Sequence, residues 1–111
     1  IPPYVEAARS ALQPLAPHRL SIFGHIGDGN LHFNVLPASG ARFSEAQARA
    51  LTNCVHDAAV SCGGSFSAEH GIGVLKADDL ARYKQPAALD LMRAVKRAID
   101  PNGIMNPGKV L

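Results

Sequence analysis

Within eleven residues, Gly24-His25-Ile26-Gly27-Asp28-Gly29-Asn30-Leu31-His32-Phe33-Asn34 gathers two imidazoles, a carboxylate and two carboxamides among glycines. If a hairpin carries this segment, His25 ends one strand, His32 starts the next, and the six residues between them form the turn. Period two then puts His32 and Asn34 on one strand face. Two histidines from adjacent strands, with a carboxylate from elsewhere, are a normal donor set for a divalent metal with open positions. Glu69, in Ala68-Glu69-His70-Gly71, is the obvious third ligand. The same groups also suit hydrogen-bonded loop histidines, and Glu69 beside His70 suits a helix-capping pair. Residue types alone leave both readings open. His18 and His56 belong to no such motif, and Asp28 suits a turn former better than a ligand.

The elements that must position these groups follow from periodicity. Val5, Ala8, Leu12 and Leu15 are spaced as one helix face, entered through Pro2-Pro3 and stopped by Pro17, which predicts a helix from Pro2 to about Leu15. Arg19 to Leu36 alternates with period two on either side of Gly27-Asp28-Gly29-Asn30, an antiparallel hairpin. Ser44 and Gln47 are spaced as a capping box, so a second helix starts there and runs through Leu51, Val55 and Cys62 to Gly63-Gly64. Ser65 to Ala68 reads as a third short strand that delivers Glu69 and His70 into the Gly71-Ile72-Gly73 bend. A short helix is expected around Asp78 to Tyr83. A longer one, Pro86 to Ile99, should bury Leu89, Met92, Val95 and Ile99. Asp100-Pro101-Asn102-Gly103 ends it, and an irregular tail comes after. The fold class is therefore α+β, helices packed on a small antiparallel sheet whose edges stay open.

Composition narrows the classes. The 111 residues are 47% hydrophobic and 18% charged with net charge +2, an ordinary globular balance for one domain spanning 1–111. The charges are scattered, so the basic balance makes no nucleic-acid face. No apolar stretch reaches the roughly 20 residues of a membrane helix. Cys54 and Cys62, eight apart on a helix, would hold their Cα atoms about 12 Å apart, too far for a disulfide. Both are expected as free thiols on a buried stripe. The opening Ile1-Pro2-Pro3 reads as a longer protein that has been cut. Neither glycine cluster has the order of a dinucleotide or phosphate loop. Their simpler reading is close approach of backbone to a flat ligand or to another domain.

Three segments occur in a telling order: Gly24 to His32, then Ser67-Ala68-Glu69-His70-Gly71-Ile72-Gly73, then Asp100-Pro101-Asn102-Gly103-Ile104-Met105-Asn106-Pro107-Gly108-Lys109. Together they resemble the C-terminal part of FAD-linked oxidases of the vanillyl-alcohol-oxidase superfamily. The D-2-hydroxy-acid dehydrogenases acting on D-2-hydroxyglutarate, D-lactate or glycolate are the nearest likeness. The resemblance implies a ferredoxin-like part of the C-terminal cap domain, with the FAD-binding domain outside this chain. It also implies His25, His32 and Glu69 as metal ligands, Asn34 as a substrate contact, and His70 as a catalytic base that also touches substrate. Asn106 and Lys109 fall where the family's chain returns towards the flavin.

On that reading the parent protein oxidises a D-2-hydroxy acid to the 2-oxo acid, with hydride passing to FAD. A divalent metal assists, with zinc suited to the ligand types and manganese or iron also open, and His70 removes a proton. This chain alone would be inactive. The implied partners are the hydroxy-acid substrate, the protein's own FAD-binding domain and a second copy of the chain, with no nucleic acid and no membrane span. A bacterial cytoplasm is the expected location, with a mitochondrion also open. Two other classes remain: a non-catalytic metal-binding or dimerisation module, and a small zinc hydrolase, for which no oxyanion-binding loop is evident.

Overall fold

A computed structural model describes all residues, 1–111. The chain divides into two compact units, Ile1–Ala68 and Glu69–Leu111. The first contains α1 (Pro2–Leu12), β1 (His18–His25), β2 (Asn30–Pro37) and α2 (Glu45–Ser61). The second contains α3 (Ala77–Tyr83) and α4 (Pro86–Ile99), reached through a 3-10 turn at Ala68–His70. The α+β class stands.

Proline starts α1, where its missing N–H would have no partner anyway. The helix ends at Leu12 rather than near Leu15. Pro14 has no N–H to continue the ladder, and the Leu15 N–H instead closes a turn on the Leu12 carbonyl at 3.1 Å. Ala8 and Leu12 are fully buried, α1 packs on α2, and Tyr4 meets Phe33 of β2 with ring centroids 5.2 Å apart. Leu51 and Ala58 are the buried residues of α2. At its start the capping box forms as expected. Ser44 Oγ accepts the Gln47 N–H at 3.2 Å, and Gln47 Oε1 accepts the Ser44 N–H at 2.9 Å.

The strands pair antiparallel with Ile22 opposite Phe33, Phe23 opposite His32 and His25 opposite Asn30. One face thus carries Leu20, Ile22, Leu31, Phe33 and Val35, all half-buried; the other carries Ser21, Phe23, His25, Asn30, His32 and Asn34. The turn is Ile26–Gly29, four residues rather than six, because pairing extends to Asn30. Gly29 takes φ +64°, which glycine adopts without strain.

Three expectations need correction. Ser65 to Ala68 is not a strand, so the sheet has two strands. Ser65 Oγ accepts the Ser67 N–H at 3.3 Å and bonds Ser67 Oγ at 2.8 Å; these local bonds compete with a ladder, and Ala68 at φ +49° leaves extended geometry altogether. The cysteines are free, but not on a buried stripe. Cys54 is half-buried, and Cys62 lies past the last turn of α2 and is exposed. In α4 only Leu89 is buried, whereas Met92 is half-buried and Val95 and Ile99 are 51% and 67% exposed. The short second unit has too little chain to cover the whole apolar stripe of a 14-residue helix.

Candidate metal and substrate site

The hairpin register decides which side chains meet. His25 and Asn30 are opposite, and His32 is two residues further along β2, so the two histidines are diagonal neighbours on one face. Their ring centroids are 5.9 Å apart at 70°. His32 is half-buried and His25 exposed. Asn34 comes next on the same face, about 7 Å further along the strand, with its side chain in solvent. Within the first unit, then, the pleat brings together three of the residues expected to do chemistry.

Phe23, which the motif reading passed over, and Gly24, which opens that motif, hold this corner. Phe23 stacks on His32 with centroids 5.1 Å apart and 12° between the planes, which orients the imidazole. Its signal in the sequence was an aromatic two residues before His25, on the face that also carries Ser21, Asn30, His32 and Asn34. Gly24 lies where β1 and β2 approach closely. A Cβ there would sit 2.1 Å from the Asn30 carbonyl oxygen and 2.9 Å from Leu31 Cα. At Gly24 the close approach is thus to the partner strand, where a flat ligand or another domain was expected, while Gly27 faces open space.

Glu69 and His70 stand on the 3-10 turn that leads into the second unit. Glu69 Oε1 is 3.5 Å from His70 Nε2, and both side chains are open to solvent. Gly71 at φ +69° and Gly73 at φ +57° make the next bend. Asn106 and Lys109 form a tight turn in the tail, where the Lys109 N–H bonds the Asn106 carbonyl at 3.2 Å. His18 is occupied elsewhere, with Nδ1 2.6 Å from the Ala16 carbonyl oxygen. Asp28 is an exposed turn residue. His25, His32 and Glu69 each offer one donor atom, two imidazole nitrogens and a carboxylate oxygen. Imidazole nitrogens and carboxylate oxygens are donor types that divalent cations accept.

Sequence comparison places these observations in a lineage. The chain is 47% identical over 90 residues to D-2-hydroxyglutarate dehydrogenase of Stutzerimonas stutzeri, an alignment covering 79% of the chain and 19% of that enzyme. To the mitochondrial D-2-hydroxyglutarate dehydrogenase of Bos taurus it is 46% identical over 103 residues, 93% of the chain and 18% of the enzyme. A D-lactate dehydrogenase of Anaerostipes hadrus shares 39% over 102 residues, 90% of the chain and 21% of the enzyme. The chain thus spans about a fifth of the length of these relatives. Residues 1–110 match the family described as FAD linked oxidases, C-terminal domain, and to that family the chain belongs.

Proposed function

We propose that this chain is the C-terminal, substrate-side segment of an FAD-dependent dehydrogenase that oxidises a D-2-hydroxy acid to the 2-oxo acid. The observation that carries the reading is the His25–His32–Asn34 face of the hairpin, in a chain of this family. His25, His32 and Glu69 would hold a divalent cation, zinc by donor type, which when bound supplies Lewis acidity toward the hydroxyl and carboxylate oxygens of the substrate. FAD, held by the rest of the protein, supplies the hydride acceptor when bound.

The remaining work falls to side chains of this segment. His70, exposed on its turn, takes the hydroxyl proton on an imidazole nitrogen as the C2 hydride leaves. Asn34 offers a carboxamide, donor and acceptor together, one strand repeat beyond His32. That spacing suits a small acid lying along β2. Asn106 and Lys109 would face the flavin. The relatives are bacterial and mitochondrial enzymes, and no helix here is long and apolar enough to cross a membrane.

The test uses the product of the full reading frame. Elemental analysis should find close to one divalent metal per chain, lost in His32→Ala. Anaerobic addition of a D-2-hydroxy acid should bleach the flavin. Undiminished bleaching by metal-free protein would overturn the metal role, and no bleaching with any D-2-hydroxy acid would overturn the activity.

A further inference from the structure

Beyond Ile99 the chain has neither helix nor strand, yet hydrogen bonds tie it down at two places. Asp100, which closes α4, is only 6% exposed. Its carboxylate accepts the N–H groups of Ile104 and Met105, each at 2.9 Å, and the Lys96 ammonium at 2.5 Å. Lys96 also donates to the Met105 carbonyl. The start of the tail is thereby clasped to the last turn of α4.

Past the clasp the backbone is costly. Asn106 at φ +48° and Val110 at φ +70° are left-handed, a region that residues with a side chain, and a β-branched valine above all, avoid. Such geometry persists only where its surroundings over-determine it, and it gathers at working sites. Here the surroundings are two anchors. The Asp100–Lys96 clasp precedes the turn, and after it the Val110 N–H bonds the Gly73 carbonyl at 2.8 Å, tying the tail to the bend three residues from His70. The third left-handed residue with a side chain is Ala68, beside Glu69.

We infer that Asp100 is a positioning residue: with Lys96 it fixes the Asn106–Lys109 turn in the shape that meets the flavin. The inference rests on the flavoenzyme reading above. Asp100 touches neither substrate nor cofactor and acts through the turn. Asp100→Asn keeps the size of the side chain but turns an N–H donor towards donors. Lys96→Gln removes the ammonium from a partly exposed position and is the milder change.

The experiment takes the full-length protein in both variants. It reads hydrogen exchange of the peptide covering 100–111, and flavin retained through gel filtration together with its absorbance spectrum. Exchange should quicken about tenfold or more in Asp100→Asn and several-fold in Lys96→Gln, with the hairpin unchanged. Flavin retention should fall in the same order and the spectrum should shift. Unchanged exchange in Lys96→Gln overturns the clasp, whether or not Asp100→Asn folds. Faster exchange with flavin retention and spectrum unmoved reduces Asp100 to a structural role and overturns the inference. A colourless wild type sinks the flavoenzyme reading itself, before any variant is compared, and the inference with it.

Discussion

His70 and Glu69 are sequence neighbours with opposed assignments, and single substitutions separate them. In the full-length enzyme His70→Ala should slow flavin reduction by about 10²–10⁴, the usual cost of losing a general base, with the metal retained. Glu69→Ala should lose the metal, so that substrate affinity and rate fall together. Rapid-mixing flavin reduction, with metal content read on the same samples, checks both. Loss of metal in His70→Ala would make His70 a ligand instead. The neighbours of His32 matter at the same scale. Phe23 gives up shelter, remaining 54% exposed, to stack on that imidazole, a position that hydropathy alone would assign to a polar side chain.

The hairpin is the element on which the site depends, and Gly24 is its tightest point. Gly24→Ala drives a methyl into the Asn30 backbone, and neither strand can yield without breaking the His25–Asn30 and Phe23–His32 pairs. The expected result is a frayed turn end, with a metal affinity lower by at least tenfold in a chelator titration while the helical circular dichroism is kept. Local signals made most elements legible. The Ser44–Gln47 box, the helix-starting Pro86 and the alternation around Gly27-Asp28-Gly29 needed no tertiary information. Ser65–Ala68 was not legible as a turn, because two serine hydroxyls bonding to each other leave no periodic mark. Nor does a pattern of apolar residues say whether anything covers them, as Val95 and Ile99 demonstrate. Of the candidate site, the residue types and the shared face of His32 and Asn34 were readable. The four-residue turn, and with it the diagonal placement of His25, had to come from the register.

For the molecule as a whole, acid should act through Asp100. Its carboxyl is held below the usual carboxylate range, first by the Lys96 hydrogen bond and then by the N–H groups of Met105 and Ile104, against the cost of burial. A carboxyl with a lower pKa folded than unfolded contributes stability above the unfolded value, about 3.9, and that contribution disappears as pH falls through the folded value. Acid titration of Lys96→Gln, followed by exchange in the tail, should therefore show release at a higher pH than in the unaltered protein. An unmoved transition would mean that another carboxyl governs it. The two thiols carry a different consequence. Burial, and then the nearby Asp57, push the Cys54 thiol up, while Cys62 stands in solvent at the end of α2. Only the thiolate attacks a maleimide. At neutral pH a limiting amount of maleimide dye should therefore label Cys62, just beyond the helix that packs on α1, ahead of Cys54, which peptide mapping of the labelled chain checks.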